Sequence, residues 1–233
     1  MLKFLPLRSI VVNDLGGFQM KKIVIGTFLS TSLLLSACSI GAPNDEMLSE
    51  TLAKVYEEEQ GYRDAQEKLA ELEKKEQSTF NATMKLTQEQ KAEVTLKVEE
   101  LKASLSERLT LLKEENESIK NAQESLSSFE AIVDDTKDEE VKTALNNLKS
   151  LLETRYEAHE VVSSEYQKLT DLQIELYDML ADEKTEQAQL QEQVLNVNKQ
   201  NDVVQSAINA FNEATKKVNA TKSSVNDSLV EEK

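Results

Sequence analysis

The sequence predicts an all-α fold: an elongated up-and-down antiparallel bundle of three to four long helices joined along coiled-coil-type heptad seams. Three observations carry this. No proline follows Pro43 and no glycine follows Gly61, so long stretches rich in Glu, Lys, Leu, Gln and Ala run without a helix breaker. Apolar residues recur every seven positions through most of that stretch, as a coiled-coil seam requires. Charged residues make up 30% of the chain, a composition that disordered chains share. The sustained heptad spacing excludes disorder.

The chain divides at its N-terminal end first. Residues 20–37 read as a lipoprotein signal peptide. Lys21 and Lys22 form a basic head, Ile23 to Leu35 an apolar run, and Leu35-Ser36-Ala37-Cys38 a lipobox. The apolar run is too short to span a bilayer comfortably. In a lipobox protein the chain is cut between Ala37 and Cys38, and the Cys38 thiol carries a diacylglyceryl group. Acyl chains contribute about 0.8 kcal/mol per buried CH₂, so two chains anchor firmly where one holds marginally. The prediction is a protein tethered to a membrane through lipid at Cys38, not spanning it. Residues 1–19 do not fit a signal peptide, which begins with its basic head, and read as an upstream mis-start. Gly16-Gly17-Phe18-Gln19 can be encoded by a run beginning GGAGG, a ribosome-binding site just ahead of the Met20 codon. A reporter that needs the Met1 codon would sink that reading.

Residues 38–43 form a short tether, and the helical domain is expected over 44–233. Asn44 suits a helix N-cap, with Asp45 and Glu46 in the first turn. Leu48, Val55, Tyr62 and Leu69 then recur at sevens, with Leu52, Ala65 and Leu72 beside them, giving a first helix to about Gln77. Gly61 weakens it by about 1 kcal/mol relative to alanine. Ser78 to Leu86 is irregular, and Thr87-Gln88-Glu89-Gln90 resembles a capping box, so a loop or kink is expected there. The second helix carries Val98, Leu105, Leu112, Ile119, Leu126 and Val133 on one seam position and Leu101, Leu109, Ala122 and Phe129 on the other.

Asp134 to Glu140 is an acidic turn, with Thr136 and Glu139 as a second capping box. It lacks the glycine of a calcium-binding EF-hand loop. The third region carries Val141, Leu148, Val162, Leu169, Leu176, Leu190, Val197, Val204, Phe211, Val218 and Val225, interrupted only by Arg155 and Glu183. Between Val141 and Leu180, Leu151, Val161, Leu172, Ile174, Tyr177 and Met179 widen the apolar stripe and imply a second partner helix. A break near Asp182 to Thr185, or near Asn198, would return the last segment as a fourth helix. The unbroken seam favours one long helix instead. At about 1.5 Å per residue, either arrangement is expected to be a rod.

The chemistry-bearing patterns are few. One histidine, His159, lies on a seam between Leu152 and Tyr166, and Tyr156 stands where a di-iron Glu-x-x-His motif needs its carboxylate. A hydrogen-bonded or rim histidine is the expectation, with no metal and no cofactor. No zinc cluster, phosphate-binding glycine loop or Ser-His-Asp spacing occurs. A two-carboxylate glycosidase needs a shaped cleft, which a narrow helical rod rarely offers, so the chain is read as no enzyme. The net charge is −16. Removal of residues 1–37 would take away Lys3, Arg8, Lys21 and Lys22 against one acid, Asp14, leaving the mature chain more acidic still. That surface argues against nucleic acid and against broad electrostatic adhesion to anionic polymers. The local exception is Asn212 to Ser224, where Lys216, Lys217 and Lys222 face only Glu213. Those three lysines are the candidate contact with anionic lipid or wall polymer.

A lipobox at Leu35 to Cys38, a short tether and a long charged heptad-bearing helical region together resemble the YkyA-like family of cell-wall-binding lipoproteins of Gram-positive bacteria. The resemblance covers the whole mature chain and, apart from the lipobox, rests on architecture. It implies a helical bundle on the extracellular face of the cytoplasmic membrane, contacting the cell wall; the alternative is an accessory lipoprotein that recruits or regulates an envelope enzyme through coiled-coil contacts. It carries over no functional residue beyond Cys38.

Overall fold

The computed structural model describes residues 43–231. These residues form helices and turns, and among them there is no strand. We number the helices α1 (Pro43–Glu58), α2 (Gln60–Thr83), α3 (Lys91–Ser125), α4 (Ser128–Asp135), α5 (Glu139–Ala181) and α6 (Gln187–Glu231). The all-α fold is as the sequence predicts. The tether and cap reading changes slightly: α1 already begins at Pro43, whose fixed φ suits the first helical turn.

The described chain divides into two compact units. One contains residues 66–112 and 164–205, and so parts of α2, α3, α5 and α6. Its helices run up and down. Lys102 reaches Asp178 while Arg108 reaches Gln173, which makes α3 and α5 antiparallel. Gln193 donates to the Leu172 carbonyl and Gln200 to the Glu165 carbonyl, which makes α5 and α6 antiparallel. Leu69, Leu101, Leu105, Leu169, Leu176, Val197 and Val204 fill its centre. The other unit contains residues 43–65, 113–163 and 206–231. In it α1 packs against α4, and Leu48, Leu52, Ile119, Phe129, Leu145, Leu148, Ile208 and Phe211 are buried.

The breaks differ from expectation in instructive ways. The first predicted helix is two, interrupted at Glu59, and α2 runs on to Thr83 rather than stopping near Gln77. The capping box at Thr87 is present: Gln90 accepts the Thr87 N–H at 3.1 Å ahead of a short 3-10 turn, Gln88–Gln90. The predicted second helix ends at Ser125, where Leu126 and Ser127 turn back through i→i+3 hydrogen bonds to Gln123 and Glu124, and α4 resumes the seam. At the second predicted capping box, Asp138 also caps α5. Asp138 accepts the N–H groups of Glu140 and Val141 at 2.8 and 2.9 Å, while Thr136 donates to the Ile132 carbonyl.

The seam carried across residues 181–190 misleads as well. The chain turns at Asp182–Glu186, with Asp182 accepting the Lys184 N–H and Gln189 accepting the Glu186 N–H, both at 2.9 Å. The last segment therefore returns as a separate helix rather than extending α5. Local polar side chains close this turn, and a heptad count carried across five residues does not register them.

Candidate functional site

The buried polar residues lie on the same seven-residue grid as the apolar ones. Glu76 follows Leu69 by seven, Arg108 and Glu115 continue from Leu101, Arg155 follows Leu148, and His159 and Gln173 flank Tyr166. All six are buried. Arg108 takes the seam position that the sequence assigns to Leu109, which is only half-buried.

In the first unit these residues form one network. Arg108 Nη1 donates to Glu76 Oε1 at 2.8 Å and to Gln173 Oε1 at 3.3 Å, and its Nε donates to the Tyr166 hydroxyl at 2.7 Å. Its Nη2 lies 3.6 Å from Glu73 Oε1. The Tyr166 hydroxyl donates to Glu73 at 2.6 Å and the Tyr177 hydroxyl to Glu76 at 2.9 Å. Burial works against the Arg108 charge, but Tyr166, Glu76 and Glu73 outweigh it and hold the guanidinium above its ordinary range. Burial also raises the phenols of Tyr166 and Tyr177 well above their usual value, and Glu73 and Glu76 add to it. Two carboxylates, a guanidinium, two phenols and an amide thus tie α2, α3 and α5 together.

The second unit carries a comparable layer. Arg155 holds Glu59 through both nitrogens at 2.5 and 3.2 Å, and donates from Nε to Thr215 at 3.1 Å. The Tyr156 hydroxyl donates to Glu59 at 3.0 Å. His159 Nε2 lies 2.6 Å from Glu115 Oε1, each side chain 2% exposed. Tyr62 and Phe211 pack edge-on against that imidazole. His159 is therefore hydrogen-bonded in the core. Among the described residues no group of three His, Cys, Asp or Glu side chains could hold a metal ion.

At Gly61 the backbone itself enters the layer. The Ser118 hydroxyl accepts the Tyr62 N–H at 2.9 Å and donates to the Glu58 carbonyl at 2.5 Å. It stands between two groups that a continuous helix would pair with each other. A Cβ at Gly61 would lie 3.2 Å from Ser118 Cβ and 3.3 Å from its Oγ, so glycine permits this close approach.

The residues singled out by sequence are not gathered here. The cleavage site at Ala37 and Cys38 lies outside the described residues. Lys216 and Lys217 are exposed on α6, and Lys216 pairs with Glu213 at 2.6 Å. Lys222 instead occupies a seam position and is half-buried. Burial lowers its ammonium pKa; nearby Glu59 opposes that shift and Arg155 adds to it. The structure does not present the three lysines as one exposed patch. The buried polar layers carry a signal in the sequence, their heptad placement, that a search for apolar seams passes over. Their bonding is internal, and it suits a structural role rather than turnover of a substrate. Among the described residues no helix is long and apolar enough to cross a membrane.

Comparison with known proteins gives two matches of note. A family model, YkyA, described as "Putative cell-wall binding lipoprotein", matches residues 44–228. A protein of Bacillus subtilis (strain 168) described as "Uncharacterized lipoprotein YkyA" is 27% identical over 205 residues, covering 88% of this chain and 92% of its own. No solved structure matches the chain.

Proposed function

Because this chain belongs to the YkyA family, we propose that it is a non-enzymatic surface lipoprotein, anchored through Cys38 to the outer face of the cytoplasmic membrane and contacting the cell wall or an envelope partner. The observation that carries this reading is the lipobox Leu35-Ser36-Ala37-Cys38 standing a few residues ahead of α1, which opens at Pro43. The lipid would fix location, and the helical units would present exposed side chains to the wall. Exposed Lys216 and Lys217 are the candidate anionic contact. Lys222 can join them only by leaving its place beside Glu59. The test is co-sedimentation of delipidated protein with isolated cell wall at low and high salt. Salt-sensitive binding that falls when Lys216 and Lys217 are changed to glutamine supports the contact, and binding indifferent to both removes it.

A second reading has its own observation. Leu96 and Leu195 are 61% and 64% exposed, apolar side chains on the helix surface that a protein partner would cover. In that reading the chain is an accessory lipoprotein that recruits or regulates an envelope enzyme through helix contacts. Capture of membrane or envelope proteins that is lost on changing both leucines to glutamine, with no wall binding, would favour it.

A further inference from the structure

The joint between α1 and α2 keeps backbone hydrogen bonds from Glu59 to the Val55 carbonyl and from Arg63 to the Glu59 carbonyl, both at 3.1 Å, but the Tyr62 N–H and the Glu58 carbonyl meet through a side chain instead of each other. Of the last carbonyls of α1, Glu58 accepts from the Ser118 hydroxyl on α3. Tyr56 accepts from Arg63 Nη2 at 2.8 Å. Arg63 also donates to Gln60 at 2.7 Å and stacks its guanidinium 3.9 Å from the Tyr56 ring centroid, which ties the joint on its exposed side. Gly61, the most flexible residue type, sits at the centre of the joint. Beyond it α1 rests on α4, and its buried side chains are Leu48, Thr51, Leu52 and Val55.

We propose that α1 is a strap hinged at Glu59–Tyr62, with Ser118 as its inner catch, and that it opens as a unit while the helices it covers stay folded. Elements with few buried apolar contacts and solvent-exposed backbone hydrogen bonds occupy the low end of local stability in a protein. Opening lifts α1, with its buried Leu48, Leu52 and Val55, away from α4, whose Phe129, Ile132 and Val133 are buried in the closed state. Closure restores both bonds of the Ser118 hydroxyl at once. The device stands independently of the wall-binding reading.

Hydrogen exchange read by mass spectrometry on the full-length chain in detergent tests it, comparing peptides from α1 with peptides from the centre of α5. In the native chain α1 is expected to exchange faster than α5. Ser118→Ala is expected to speed α1 a further tenfold or so, as loss of a doubly bonded buried hydroxyl implies, with α5 unchanged. A thermal melt of the same variant separates local release from general loss of stability: its midpoint should stay close to the native one. Equal exchange of α1 and α5 in the native chain overturns the strap. Acceleration of both by one factor, or no acceleration of α1, removes Ser118 as its catch.

Discussion

Leu112 is 5% exposed, whereas Glu114, two residues later, faces solvent. Leu112→Asp places an unpaired charge in the seam and is expected to cost several kcal/mol, roughly the scale for burying an uncompensated polar or charged group. Glu114→Gln should leave the melting curve nearly unchanged, and similar melting of the two variants would mean the seam is misplaced. Arg108 is the sharper case. Arg108→Met strands Glu76, itself 2% exposed, and should cost about 3–5 kcal/mol, as breaking a buried ion pair from one side does. Urea unfolding of the variant checks this, and a native midpoint would show the network to be without structural weight. The positions of these residues were legible, because Arg108 is seven residues from Leu101 and Glu76 seven from Leu69. Their pairing was not. Glu76 and Tyr177 lie 101 residues apart in sequence, and spacing along one helix does not say which side chain of another will meet it. A search for apolar seam positions therefore settles on Leu109 and passes over the guanidinium beside it.

At the scale of the element, caps decide where helices begin and short polar turns decide where they end. Asp138 takes two N–H groups of the first turn of α5, so Asp138→Ala should lower stability by about 1 kcal/mol, the usual worth of an N-cap. A matched urea titration of Asp138→Asn, which keeps an acceptor oxygen, should recover most of it. Equal losses in the two variants would mean that the carboxylate's charge at the helix dipole matters rather than its hydrogen bonds. Helix existence was legible from heptads almost throughout. Helix ends were less so where the seam outlasts the helix. Phe129 and Val133 keep the spacing of α3 although the chain turns at Leu126–Ser127, and Leu190 keeps that of α5 although it turns at Asp182–Glu186. Gly61 was visible as a weak point, but the sequence offered no sign that Ser118 would fill the gap.

At the scale of the whole molecule, both units bury tyrosines whose phenols are held up. Burial raises Tyr62, Tyr156, Tyr166 and Tyr177 above the usual range, and neighbouring carboxylates add to it. In the unfolded chain these phenols ionise near pH 10, while the folded chain keeps its protons to higher pH. Their stabilising contribution is therefore complete below about pH 10 and is lost as pH rises above it. Phenolate absorbance from these four residues should appear together with loss of the helical circular dichroism signal. A stepwise rise with helix content intact would contradict it. The proposed lipid anchor is also tested at this scale: Cys38→Ala should leave the helical spectrum unchanged and move the protein out of the detergent phase. Detergent partitioning that survives the change would rule out Cys38 as the anchor.

The Arg108 layer has a consequence for how sequences of this kind can drift. An apolar seam residue can be exchanged for another of similar volume one position at a time. Arg108 cannot, because losing it leaves Glu73 and Glu76 on α2 and Tyr166 and Gln173 on α5 without their common cationic partner. The intermediate steps are unstable even where the end point, a fully apolar layer, is as stable as the original or more so. Substitutions at these positions should therefore appear in alignments as sets that change together across three helices. A lineage should keep the whole constellation or none of it.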